Sequence, residues 1–148
     1  MKKIIVLLSV LVIVLFSCIV EYESVTYYKI TNQSLQNIKI NIPNYRCHSS
    51  VSIDTTFPIS QNQQLEFKYI DSGRDITELF GLANTAFIIF NDSDTLLYTR
   101  EDNSSRNILK KESYDIRVEE KKRITVYYCT YIITEEDYQN AVNNKKNE

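Results

Sequence analysis

The sequence predicts a mainly β protein, an antiparallel β-sandwich followed by a short C-terminal helix. Three observations support this fold class. Several short segments alternate apolar with polar residues, the period of a strand with one buried face. Turn-forming residues separate them at about the 8- to 12-residue spacing typical of sandwiches, including immunoglobulin-like ones. The chain also has 11 tyrosines and 6 phenylalanines, residue types that favour strands.

Seven predicted strands span 25–30, 35–42, 65–70, 86–90, 95–99, 114–118 and 124–133. Residues 35–42 alternate apolar with polar side chains, which predicts one buried face. Residues 86–90 are a continuous apolar run, which places that strand in the middle of a sheet. The polar turn 91–94 and the charged turn 119–122 predict two hairpins, each joining the strands on either side.

Two short helical segments are also expected. Thr134 provides an N-cap hydroxyl, and the acidic residues 135–137 suit the positive end of a helix dipole. We expect the folded domain to span 25–143 and the tail 144–148 to fray. Residues 75–81 contain an acidic cap with a second acid three positions later, which predicts a single helical turn.

The N-terminus has the pattern of an export signal. Two lysines precede an apolar run at 4–16 that only Ser9 interrupts. A membrane-spanning helix needs roughly 20 apolar residues, whereas this run is shorter and the acidic Glu21 and Glu23 follow it. We therefore expect residues 1–17 to be a cleaved signal peptide, the alternative being an uncleaved anchor helix.

The segment Leu15-Phe16-Ser17-Cys18 resembles the lipobox of bacterial lipoproteins, where Leu lies three positions before the Cys and a small residue directly before it. Phe16 departs from the usual small residue. The resemblance implies that Cys18 carries acyl chains and that residues 18–24 form a lipidated tether to the bilayer. Each buried methylene contributes about 0.8 kcal/mol, so two or three chains anchor a protein stably.

A looser resemblance links residues 87–92, 106–109 and 131–138 to small uncharacterised lipoproteins of bacterial envelopes. It implies a β-sandwich that is lipid-anchored in the cell envelope. We expect the anchoring membrane to be the outer one, and the protein to lie on either its periplasmic or its surface side. The resemblance implies no activity and no further site residue.

Composition excludes several classes of function. Removal of residues 1–17 takes away two lysines, which leaves 15 basic and 19 acidic side chains and a net charge of −4. Nucleic acid needs a basic surface, so we expect no nucleic-acid partner. Two glycines in the whole chain leave no glycine-rich phosphate loop.

Two cysteines, Cys47 and Cys129, remain besides the lipidated one. Disulfides persist outside the cytosol, and a bridge closing a loop of about 80 residues would stabilise the fold by about 4 kcal/mol. We therefore predict a bridge between Cys47 and Cys129. The alternative is two separate buried thiols, since Cys packs well as a small hydrophobic residue.

No pattern predicts catalysis. His48 adjoins Cys47, and cysteine hydrolases use a thiol and an imidazole, but neighbouring side chains in a strand point to opposite faces. Oxygen ligands at 91–94 and 101–103 suggest calcium, yet they lack the glycine and the distal glutamate of a helix-hand loop. We expect no enzyme activity, no metal and no cofactor.

The tyrosines are the candidate partner surface, namely Tyr27, Tyr28, Tyr127, Tyr128 and Tyr131. Strand neighbours alternate faces, so at least one of Tyr127 and Tyr128 should reach the outside; the alternative is that tyrosine simply suits half-buried strands. We expect a non-catalytic binding or assembly module for an envelope protein. A glycan-binding lipoprotein is the alternative, although the chain lacks Trp, the strongest stacking ring.

Overall fold

The computed structural model describes residues 22–45, 53–81 and 83–146. Two four-stranded sheets and one C-terminal helix confirm the predicted mainly β sandwich. The strands are β1 Glu23–Asn32, β2 Ile38–Tyr45, β3 Ile53–Ile59, β4 Gln64–Ser72, β5 Thr85–Phe90, β6 Asp94–Thr99, β7 Asp115–Lys121 and β8 Ile124–Ile133. A 3-10 turn covers Lys111–Ser113, and helix α1 covers Glu135–Lys146.

Sheet A has the strand order β4-β1-β8-β7, and sheet B has the order β3-β2-β5-β6. All pairs are antiparallel except β1 with β8, which run parallel with Tyr28 opposite Cys129. The predicted hairpins β5-β6 and β7-β8 are both present. Left-handed backbone at Asn91, Asp92 and Lys122 closes their turns, a conformation that Asn and Asp tolerate better than most residues.

Period-two alternation places one face of each sheet in the core. The buried residues from sheet A include Tyr28, Ile30, Cys129, Tyr131 and Ile133, and those from sheet B include Ile38, Ile40, Ile42, Ala86, Ile88 and Phe90. Helix α1 packs beside β6, and the ring centroid of its Tyr138 lies 5.5 Å from that of Phe90 at the end of β5. One contiguous core therefore joins both sheets and the helix.

The predicted helical turn at 75–81 is wrong, because this segment is an irregular connection that ends in a turn at 79–81. Its carbonyl groups accept hydrogen bonds from sheet A instead of from a helix. The Tyr28 hydroxyl donates to Thr77 O at 2.6 Å, and the Tyr69 hydroxyl donates to Leu79 O at 3.1 Å. Leu79 itself is buried, so tertiary packing outweighs the local capping signal.

Strand β3 was not predicted from the sequence. Its Pro58 lacks a backbone donor and argues against a central strand, but β3 is an edge strand of sheet B and needs pairing on one side only. Helix α1 also extends to Lys146, into the predicted tail 144–148, and β1 begins at Glu23, inside the predicted tether 18–24. In the described part of the chain no helix has the length and apolar character needed to cross a membrane.

Candidate functional site

Strand register divides the five candidate tyrosines into two groups. Tyr28 and Tyr131 are each 2% exposed, so they belong to the core and not to the predicted partner surface. The Tyr131 hydroxyl donates to Arg106 O at 2.6 Å. Tyr127 is half-buried, and its hydroxyl donates to Arg74 O. Burial also raises the pKa of Tyr127 and, more strongly, those of Tyr28 and Tyr131. These three tyrosines fasten connections to sheet A.

Tyr27 and Tyr128 lie on the outer face of sheet A, in one row that crosses all four strands. Lys68 is directly opposite Tyr27, Tyr27 is opposite Tyr128, and Tyr128 is opposite Arg117. The two rings stack with centroids 5.5 Å apart and an interplanar angle of 11°. Lys68 Nζ lies 5.6 Å from the centroid of Tyr27, and the Arg117 guanidinium carbon lies 4.7 Å from that of Tyr128. We call this set the aromatic row.

The aromatic row leaves ring edges and hydroxyls open, and its ring faces are partly occupied. Each tyrosine ring contacts one cation and the other tyrosine. Cation–π contacts contribute about 0.5–1 kcal/mol each at exposed sites. Arg117 is further held by Glu119 at 2.8 Å. The row therefore offers two phenol groups, an ammonium and a guanidinium in a fixed arrangement.

The neighbouring rows on this face differ in character. Toward the start of β1 the side chains are mainly apolar, and Ile70 opposite Val25 is 56% exposed. On the other side Glu66, Lys29 and Asp115 carry charges of both signs. The outer face of sheet A thus combines an aromatic centre with apolar and charged margins, the mixture found in protein–protein interfaces.

Of the three cysteines, the structure describes only Cys129. Cys129 has no disulfide partner among the described residues and is 1% exposed, on the inner face of sheet A. Burial raises its pKa to about 11, although the hydroxyl of Tyr28 opposes this shift by hydrogen bonding. Cys18, Cys47 and His48 lie outside the described residues. Lipidation of Cys18 and the bridge from Cys47 to Cys129 stay predictions.

The acidic residues of the β5-β6 turn bond to protein groups. Asp92 pairs with Lys39 Nζ at 2.6 Å. Asp94 accepts from Ser93 Oγ at 2.7 Å and from Lys145 Nζ at 3.3 Å, and these contacts lower its pKa, the hydrogen bond from Ser93 most. Within 22–45, 53–81 and 83–146, no cluster of three or more His, Cys, Asp or Glu side chains is arranged to hold a metal ion.

A second candidate is an open cleft of about 550 Å³ where the β4-β5 and β6-β7 connections meet. Its charged groups are mostly paired inside the protein. Arg100 donates to Glu78 at 2.9 Å and to Ala83 O at 2.7 Å, and Lys110 Nζ donates to Asn103 at 3.2 Å. Arg100 Nη2 and Ser113 Oγ, from residues that also line the cleft, are buried without a hydrogen-bond partner in the described part of the chain.

The sequence predicted the two outer tyrosines as surface residues but did not predict that Lys68 and Arg117 lie beside them. Alternation alone assigns each residue to a face, whereas the row depends on the register of β4, β1, β8 and β7, which the sequence does not specify. Comparison of the chain with protein-family models, with curated proteins and with solved structures found no significant match.

Proposed function

We propose that the chain is a lipid-anchored protein of the bacterial envelope whose sandwich binds a partner protein through the outer face of sheet A, without catalysis. The aromatic row is the observation that carries this proposal. Tyrosine and arginine are enriched among the residues that dominate binding energy at protein interfaces. Their stacked arrangement also means that little side-chain freedom is lost when a partner docks.

The same geometry favours a protein partner over the alternative of a glycan. A sugar ring stacks on an open aromatic face, whereas the rings of Tyr27 and Tyr128 already contact each other and Lys68 and Arg117, which leaves less free ring face for a sugar. Ring edges, hydroxyls and cations suit backbone carbonyls and carboxylates of a protein surface. Neighbouring Ile70 adds exposed apolar area that such a partner would bury.

The anchor is tested by intact mass and membrane fractionation of natively expressed protein, compared with Cys18→Ser. We expect acyl mass at Cys18 and a membrane-bound protein, with both lost in the variant. Soluble, unmodified wild-type protein would contradict the anchor and the envelope location together.

The binding surface is tested with a photoreactive phenylalanine analogue placed at Ile132, on the outer face of sheet A. The matched control is Leu97 on the outer face of sheet B, since both positions carry exposed apolar side chains. We expect a discrete adduct from position 132 only, identified by mass spectrometry and lost when Tyr128→Ala is added. Equal adducts from both faces, or an adduct that persists in Tyr128→Ala, would overturn the proposal.

A further inference from the structure

The first described residues are bound tightly to one end of sheet A. Gly73 N donates to Tyr22 O at 2.7 Å, and Glu23 N donates to Arg123 O at 2.9 Å. The guanidinium carbon of Arg74 lies 3.6 Å from the centroid of the Tyr22 ring. Tyr22 is therefore fixed between the β4-β5 connection and the β7-β8 turn. We call this region, residues 22–23, 72–74 and 121–124, the entry end.

Cys18 precedes Tyr22 by four residues. An extended chain spans at most about 3.6 Å per residue, so the sulfur-bearing residue lies within roughly 14 Å of Tyr22 whatever path the chain takes. If Cys18 carries acyl chains in the bilayer, the entry end faces the headgroups. The rest of the domain extends away from it, because β1 is ten residues long and covers about 33 Å.

The entry end has the chemistry of a surface that meets anionic lipid. The β7-β8 turn is basic and exposed at 121–123, and Arg74 adds a fourth cation beside it. Ile124 is an exposed apolar residue at the same end, 39% accessible. Lysine and arginine side chains close to an anionic membrane are attracted to its headgroups. Five acids lie at the same end, namely Glu23, Asp71, Asp75, Glu119 and Glu120, and Glu119 pairs with Lys121 at 3.8 Å. Lys122 and Arg123, which have no ion pair within the described residues, carry the positive charge of the turn's tip.

Charge is distributed in the opposite sense at the far end. Helix α1 begins there with Glu135 and Glu136, and Glu135 accepts a hydrogen bond from Leu35 N at 3.1 Å. The chain after residue 17 is acidic in total, with a net charge of −4. An anionic surface therefore attracts the Lys122-Arg123 tip more than the acidic remainder of the domain.

From this placement we infer that the entry end docks on the anionic headgroups of the membrane that holds the anchor, with the Lys122-Arg123 tip of the β7-β8 turn in contact. The inference rests on the proposed lipid anchor. Docking directs β1 away from the membrane plane. The aromatic row is then held away from the bilayer and is accessible to a partner.

The test uses the natively lipidated protein in vesicles that contain a headgroup-nitroxide quencher. The chain has no tryptophan, so Ile124→Trp and Ser72→Trp each give a unique reporter at the entry end. Leu35→Trp is the matched control at the far end, where Leu35 is 67% exposed. Vesicles of phosphatidylglycerol with phosphatidylethanolamine are compared with phosphatidylcholine vesicles.

We expect both entry-end reporters to be quenched in the anionic vesicles and Leu35→Trp to stay unquenched. Lys122→Glu/Arg123→Glu should abolish this quenching while the protein still floats with the vesicles. Acylated, vesicle-bound protein with equal quenching at the two ends would overturn the docking inference and leave the anchor intact. Protein without acyl mass that fails to float would overturn the anchor and docking together.

Discussion

The guanidinium of Arg106 forms a bidentate ion pair with the buried carboxylate of Asp137, in which Nε and Nη2 donate at 2.6 and 2.5 Å. The same carboxylate accepts from Thr134 N at 2.8 Å and from its hydroxyl at 3.1 Å, which closes the start of helix α1. Arg106 Nη2 also donates to Ile132 O at 2.6 Å. One ion pair thus joins the β6-β7 connection, the end of β8 and the helix.

Asp137→Asn should lower the free energy of unfolding by about 2–4 kcal/mol. Breaking a buried pair by removing one partner costs about 3–5 kcal/mol, and the Arg106 side chain, 38% exposed, retains some hydration that reduces the loss. Urea denaturation measures the effect. The control is Asp92→Asn, which breaks an exposed pair with Lys39 and should cost less than about 1 kcal/mol. Equal losses in both variants would contradict this account.

The start of helix α1 combines a local feature, which the sequence predicts, with a distant contact, which it does not. Thr134 and the acids after it are adjacent in sequence, so the helix start was predictable and is confirmed, but the Thr134 hydroxyl donates to the Asp137 carboxylate instead of accepting from a helix N–H. Arg106 lies 31 residues away from Asp137, and local pattern cannot identify it. Similarly, alternation predicted that at least one of Tyr127 and Tyr128 reaches the outside, but not the parallel pairing of β1 with β8, which joins distant parts of the chain. The aromatic row depends on that pairing.

Asn107 is a second feature that local pattern could not identify as structural, because asparagine usually indicates a surface turn. Its side chain is fully buried and donates to Thr99 O at 2.6 Å and to Asp102 O at 3.0 Å. Its oxygen accepts from Leu109 N at 3.0 Å.

Asn107→Ala should therefore cost about 2–4 kcal/mol, because each buried polar group left without a partner costs about 1–3 kcal/mol. Thermal and urea unfolding measure the loss. Asn103→Ala is the control, since Asn103 is exposed and bonds only to the end of Lys110 within the described contacts; we expect a change within about 0.5 kcal/mol. A loss below 1 kcal/mol for Asn107→Ala would show that these hydrogen bonds matter little.

The buried thiol of Cys129 predicts a decline in stability at alkaline pH. Burial raises its pKa from 9.0 to about 11, so the folded protein holds this proton more tightly than the unfolded chain. The resulting stabilisation is complete below about pH 9 and is lost as the pH rises toward 11, a change of about 1–3 kcal/mol. Burial also raises the pKa of Tyr114, which acts in the same direction.

Urea unfolding of reduced protein between pH 8 and 11 measures this decline. Cys129→Ala should show a shallower slope, and the slope is the quantity to compare because the substitution also changes packing. Identical slopes in wild type and variant would assign the decline to the tyrosines alone.

Substitutions of the stacked Tyr27 and Tyr128 should affect partner binding far more than the free energy of unfolding. Tyr27→Ala, Tyr128→Ala and the double variant form a double-mutant cycle, and we expect a coupling energy for unfolding of about 0.5–1.5 kcal/mol. Tyr27 is 38% exposed, so neither single variant should unfold the domain. The partner adduct should nevertheless disappear in each, because the remaining ring loses its support and the cations lose their fixed positions. Tyr28→Ala is the contrasting variant: it empties a core position and should cost about 3–5 kcal/mol. If Tyr128→Ala destabilised the fold as much as Tyr28→Ala, the outer pair would be structural, and its loss of binding would reflect unfolding instead of a damaged interface.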